Sequence, residues 1–218
     1  MQSPTKQRLE NAEMERFLET ARLRNFKTGQ TVIAAGEIPQ TIHYLVEGSV
    51  EVVIETENGK ELVLAFLNEG HLFGEMGFFN PSHDRSAWVR ARNDCLVAEV
   101  RYEQFRDFAT DNPGLMFELA TQLATRLART NSRIGGLAFL GVSGRVAQVL
   151  MELAEEPEAV IVPGGRRLKY TQPQIARIVG CSREMVSRVL KMLTSDGLIS
   201  TDDGIVVWGA FDKEVVAL

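Results

Sequence analysis

The sequence predicts an α+β chain: an N-terminal antiparallel β sandwich or roll, one long helix, and a C-terminal helix-turn-helix with a β wing. Three patterns predict it. Between residues 27 and 106, apolar and β-branched runs are punctuated by Gly29, Gly36, Gly48, Gly59 and Gly70, which stand 7, 12, 11 and 11 residues apart. That is the rhythm of short strands and turns. From Met116 the apolar spacing switches to 4, 3, 4, 3, 4, 3 through Ala120, Leu123, Leu127, Thr130, Ile134 and Leu137, a heptad seam. Residues 171–194 read as two short helices joined at Gly180.

Taken in order, residues 10–20 predict a short helix, with Met14, Phe17, Leu18 and Leu23 at helical apolar spacing. The strand runs follow, with Asn58-Gly59 as a hairpin turn between two of them. Asp111-Asn112-Pro113 precedes the long helix. Its apolar stripe is narrow and flanked by Gln122, Arg126, Arg129 and Arg133. That favours a two-stranded contact with a second copy, although a helix packed on its own domain has the same spacing. Thr130, polar and on the seam, is expected to face the partner helix or something lodged there. Gly135-Gly136 and Gly141 bracket a segment that reads as a hinge. Val146, Val149, Leu150 and Leu153 then predict a helix ending before Pro157, and residues 155–165 read as a loop.

Composition narrows the class. The chain has 218 residues, 44% hydrophobic and 24% charged, ordinary for a globular protein of one or two domains. No apolar run is long enough to span a membrane, and the charged N-terminus lacks a signal-peptide core, so a cytoplasmic location is expected. Cys95 and Cys181 are too few for a disulfide framework or a cysteine metal cluster. His43, His71 and His83 show no metal-ligand spacing, so neither a metal nor a catalytic centre is expected. A net charge of −5 hides an asymmetry: residues 166–194 hold seven Lys/Arg and one acid, a local +6, leaving −11 elsewhere. A basic patch on an acidic body suits phosphate binding.

That patch carries a helix-turn-helix pattern. Thr171 and Gln174 form a capping box with Pro173 in the first turn. Ser182 is placed to cap the second helix. Val186, Val189, Leu190 and Leu193 form its buried face, and Arg183, Glu184, Ser187, Arg188 and Lys191 occupy the other. In this layout the start of the second helix enters the major groove of DNA. Arg183 and Arg188 suit guanine and Glu184 suits the cytosine amine, while Thr171, Ser182 and Lys191 suit phosphates. Leu198–Ser200 and Ile205–Trp208 around a turn predict the wing.

A second motif runs Gly74, Glu75, Met76, Gly77, Phe78, Phe79, then Asp84, Arg85, Ser86, Ala87. Glycine lets backbone N–H groups approach an anion, Arg85 offers a charged fork and Ser86 a hydroxyl. Glu75 beside a phosphate is electrostatically odd unless it accepts from a sugar hydroxyl. The run from Phe73 to Arg92 resembles the phosphate cassette of cyclic-nucleotide-binding domains. Residues 126–148 and 175–193 resemble the dimer helix, hinge and recognition helix of the CRP/FNR family of bacterial transcription regulators. The resemblance is colinear from residue 12 to 209.

It implies a cyclic-nucleotide-binding jelly roll over residues 1–112, a dimerisation helix and hinge over 113–140, and a winged helix-turn-helix over 141–218. It also implies cyclic AMP as effector, with a homodimer, DNA and RNA polymerase as partners. Arg85 and Ser86 would hold the cyclic phosphate, Gly74 and Glu75 the ribose within a cassette that includes Met76, and Thr130 the adenine amino group. Asn131 would complete the site across the dimer. Arg183, Glu184 and Arg188 would read bases. The sequence departs from the family pattern at Asn131, where a hydroxyl is usual, and at hinge Gly141, where an Asp caps the next helix and for which Ser143 is the alternative cap. Gln172 and Pro173 also differ, and so does the acidic, apolar 155–165 segment, a polymerase-contacting surface in the family. A cyclic dinucleotide as effector, or activity with no ligand, is the competing expectation.

Overall fold

Alternating burial builds the N-terminal β structure. The computed structural model describes residues 16–81, 83–202 and 204–208; Met14 of the expected N-terminal helix, the Asp203 position in the wing turn and the tail from 209 lie outside them. The chain divides into two units, one ending at Leu127 and the other beginning at Ala128.

In the first unit, β1 (Arg22–Phe26), β8 (Cys95–Arg101), β3 (Thr41–Glu47) and β6 (Leu72–Phe73) form one antiparallel sheet in that order. β2 (Thr31–Ile33), β7 (Trp88–Ala91), β4 (Ser49–Glu55) and β5 (Glu61–Asn68) form the second. The buried cluster of Phe26, Leu45, Val50, Leu67, Phe73, Val89 and Val97 draws on both sheets, as a two-sheet roll requires. The β4–β5 turn uses Asn58-Gly59 as expected: Gly59 N–H donates to Thr56 O at 2.9 Å and Gly59 takes φ +73°. This is a three-residue loop ending in a left-handed glycine. Leu23 is a correction. It sits in β1, paired with Ala98 and 52% exposed, rather than continuing the helix. β-Pairing outweighed local apolar spacing there.

Helices build a second buried cluster in this unit. α1 (residues 16–19) inserts Phe17, fully buried and edge-on to Phe108 at 5.3 Å. α2 (Met76–Phe79) and α3 (Tyr102–Asp111) flank it, and α4 (Pro113–Phe139) follows. Leu115 and Leu119 of α4 are fully buried with Phe17 and Phe105, and Met116 and Leu123 pack partly against the same cluster. The first turns of the heptad therefore serve their own domain. Further along, Leu127, Ile134 and Leu137 are 60%, 58% and 62% exposed.

The second unit begins in α4. The helix runs on through Gly135 and Gly136 to Phe139, with Leu140 N–H donating to Gly136 O at 2.9 Å. The chain breaks only at Leu140–Gly141, so the two glycines are not hinge ends. α5 (Val142–Glu155) starts without a side-chain cap at Gly141, which puts Ser143 inside the first turn instead of at the cap. α5 buries Val146, Val149, Leu150 and Leu153 against α6 (Gln172–Val179) and α7 (Arg183–Ser195). The 155–165 segment is not all loop. β9 (Val160–Val162) and β10 (Gly165–Leu168) form a hairpin about Pro163-Gly164, because Val-Ile-Val favours a strand and Gly164 takes φ +79°. The sheet is completed by β12 (Ile205–Trp208) and β11 (Ile199–Ser200), in the order β11-β12-β10-β9, which realises the expected wing strands.

Candidate functional site

Two constellations stand out, one in each unit. In the first, Gly74 takes φ +77°, and a Cβ there would lie 2.8 Å from Arg85 Nη1 and 3.0 Å from His43 Nδ1. Only glycine admits both the backbone turn and the guanidinium beside it. Arg85 Nη1 donates to Gly74 O at 2.7 Å and to the Tyr102 hydroxyl at 3.2 Å, and Nη2 donates to Thr41 O at 2.6 Å. Tyr102 donates to Gly74 O at 2.8 Å. Burial pushes the Tyr102 phenol up, which keeps that donor protonated. The fork is thus held by β3, the cassette and α3 together.

The position of Glu75 resolves its electrostatic oddity. It is 7% exposed and pairs with Arg126 of α4, Nη1 to Oε1 at 3.3 Å. Arg126 also donates to Leu72 O, and to Gln122 Oε1 at 3.3 Å. Gln122 accepts from Leu72 N–H at 2.9 Å and donates to Gly70 O at 3.0 Å. A carboxylate paired to a guanidinium on one side still has acceptor capacity for a hydroxyl. Met76 is 65% exposed, and the exposed Ser86 hydroxyl lies 3.7 Å from its sulfur. Behind the cassette, buried His43 stacks on Phe73 at 5.1 Å. Burial, aided by the charges of Arg85 and Arg24, lowers its pKa to about 3, so the ring is neutral. Thr130 and Asn131 are exposed on the part of α4 that belongs to the second unit.

The second constellation is α6, the Gly180 turn and α7. Gln174 N–H donates to Thr171 Oγ1 at 3.4 Å and Thr171 N–H to Gln174 Oε1 at 2.8 Å, a complete capping box. Gly180 ends α6 in the left-handed region at φ 72°, and Ser182 Oγ accepts from Met185 N–H at 3.3 Å to start α7. Val186, Val189, Leu190 and Leu193 are buried, as expected. Arg183, Glu184, Arg188 and Lys191 face solvent. With Gln172 and Ser187 they line a hollow of about 420 Å³. Its own backbone N–H and the Ser182 hydroxyl hold the Glu184 carboxyl below its ordinary range, so it is an acceptor. The surface offers forked donors, a carboxylate acceptor and two helix N-termini, a set suited to base edges and phosphates.

The sequence reading missed Thr41, Tyr102 and the Glu75 role of Arg126. Arg126 had drawn notice only as a flank of the heptad, and nothing local ties it to a carboxylate 51 residues away. Ser187 was read on the same face as Arg183, whereas Gln172 was noticed only as a departure from the family pattern and joins that surface in the structure. Among the described residues no group of three or more His, Cys, Asp or Glu could hold a metal ion, and no helix is long and apolar enough to cross a membrane. Cys95 and Cys181 are unbridged.

Comparison with known proteins matches these two regions separately. The family of cyclic nucleotide-binding domains matches residues 23–112, and that of Crp-like helix-turn-helix domains matches residues 144–208. The cAMP-activated global transcriptional regulator CRP of Salmonella typhimurium is 45% identical over 197 residues, covering 90% of this chain and 94% of that protein. The cAMP-activated global transcriptional regulator Vfr of Pseudomonas aeruginosa is 41% identical over 189 residues, covering 85% and 88%. Among solved structures, the c-di-GMP responsive global regulator CLP of Xanthomonas campestris superposes with a TM-score of 0.83 at 36% identity, covering 91% of this chain and 99% of that one.

Proposed function

The chain belongs to the CRP/FNR family of transcription regulators, and on that premise we propose that it is a cyclic AMP-responsive, sequence-specific DNA-binding regulator. It works as a homodimer on a two-fold symmetric operator and is not an enzyme. The observation that carries this reading is the pairing, in one chain, of the braced Arg85 cassette with the capped, outward-charged helix α7. Cyclic AMP is the effector, as in the CRP and Vfr relatives, with its phosphate on Arg85 and Ser86. Its ribose meets Gly74 and Glu75 beside Met76, and its base meets Thr130 and Asn131. Arg183, Glu184 and Arg188 read bases, while Thr171, Ser182 and Lys191 hold phosphates.

The exposed Leu127, Ile134 and Leu137 support a second copy lying along α4. The functional domains divide at 1–112, 113–140 and 141–218. The β9–β10 hairpin, with Ile161 76% exposed, is the surface for RNA polymerase, and the working compartment is the cytoplasm. Gly141 in place of a capping residue tunes the joint before α5.

Cyclic di-GMP is the second reading, because the CLP structure is that of a c-di-GMP responsive regulator and Asn131 departs from the usual hydroxyl. Calorimetric titration with cyclic AMP, cyclic GMP and cyclic di-GMP, followed by operator binding at fixed salt, separates the two. Saturable cyclic AMP binding that tightens the DNA complex is the expected result. Response to cyclic di-GMP alone would replace it with the second reading, and DNA binding indifferent to all three would end both.

A further inference from the structure

The last turns of α4 carry polar side chains that reach α5. Arg129 Nη1 donates to Glu156 Oε1 at 3.2 Å, and the Glu156 side chain is only 7% exposed. One turn on, Arg133 donates to Glu152 Oε2 through both Nε at 3.0 Å and Nη2 at 2.9 Å. Gln148 Nε2 donates to Ser132 Oγ at 3.0 Å and to Glu152 Oε1 at 3.2 Å. Gly136 leaves Gln148 its place, since a Cβ there would fall 2.6 Å from Gln148 Oε1. Descending α4 by turns meets α5 ascending by turns, so the contacts form an antiparallel clasp. Surface ion pairs usually contribute about 0–1 kcal/mol. These differ in that Glu156 is buried and the Arg133–Glu152 pair is about three-quarters buried, with side chains 24% and 25% exposed.

The clasp spans the one break in the helical path, Leu140–Gly141, where α5 starts without a side-chain cap. It also starts at the turn that holds Thr130 and Asn131, which stand between Arg129 and Ser132 in sequence. The same helix α5 packs on α6 and α7. We propose that the Arg129–Glu156 and Arg133–Glu152 pairs, with Gln148, transmit effector binding from the end of the dimer helix to the DNA-reading helices. This rests on the reading of Thr130 and Asn131 as effector contacts. A shift of their turn cannot leave α5 behind while the clasp holds, and an uncapped glycine joint alone would absorb it. The clasp supplies the physical element that a coupling free energy between two sites needs.

The test measures operator affinity by fluorescence anisotropy with and without cyclic AMP, and cyclic AMP affinity by calorimetry. The proteins are the full chain, Arg129→Gln, Arg133→Gln, Glu152→Gln and the charge exchange Arg133→Glu with Glu152→Arg. The parent protein should bind DNA more tightly with cyclic AMP. In the single variants that enhancement should fall about 5-fold or more, within the usual range of coupling, while cyclic AMP affinity without DNA changes little. The charge exchange should restore much of it. An unchanged enhancement in every variant would overturn the clasp and leave the effector reading intact. Equal loss of DNA binding with and without cyclic AMP, unrescued by the exchange, would reduce the clasp to a structural brace. A parent protein with no enhancement would sink the effector reading together with this inference.

Discussion

Arginine does opposite work in the two halves of this molecule. Arg85 is turned inward: its guanidinium is spent on Gly74 O, Thr41 O and the Tyr102 hydroxyl, three groups from separate elements. Arg183 and Arg188 are turned outward from a helix whose other face is sealed by Val186, Val189 and Leu190. The first arrangement fixes a donor fork before any anion arrives, which lowers the ordering cost of binding. The second leaves long side chains free to search a groove and loses rotamer freedom only on contact. A pocket for one small ligand calls for the former and a surface that surveys many sequences calls for the latter.

That contrast is broken most directly at Arg85. Arg85→Ala should weaken cyclic AMP binding by about 100-fold or more, since charge-assisted hydrogen bonds contribute about 1.5–3 kcal/mol each. Arg85→Lys should recover only part of it, because a lysine keeps the charge without the fork. Calorimetry reads both, and wild-type affinity in Arg85→Lys would mean that pre-set geometry is unimportant. Next in size, Arg183→Ala should cost about 1–3 kcal/mol and relax preference at one base pair; selection of binding sites from a randomised pool would show this, and an unchanged consensus would contradict the groove assignment. Smallest, Lys191→Gln should weaken all sequences alike and reduce the slope of log affinity against log salt by about 1. A sequence-dependent loss in that titration would move Lys191 from phosphate to base.

The recognition surface was legible in the sequence because its logic is local. A capping box four residues long, a glycine at the turn, a serine cap and an apolar face repeating at i, i+3, i+4 and i+7 all lie within residues 171–194. The cassette was legible only in part. Gly74, Glu75, Arg85 and Ser86 are close in sequence, but Thr41, Tyr102, Gln122 and Arg126 arrive from other elements and carry no mark of it. The same limit explains the misread segments. Leu23 fits a helical spacing yet pairs with Ala98 from a strand 75 residues on, and Val160–Val162 needed β10 as a partner before it became β9.

The sequence by itself determined the strand–turn rhythm of the N-terminal roll and the helix-turn-helix with its outward charges. Those follow from periodicity, capping and turn chemistry, which act within a few residues. Only the tertiary structure decided that Arg126 stands behind Glu75 and that the early heptad positions serve their own core. It also decided that α4 and α5 are clasped by Arg129, Arg133 and Gln148 across an uncapped joint. Each of these depends on which charges and surfaces long-range packing brings together, and burial then makes an unmatched charge too costly to leave without a partner.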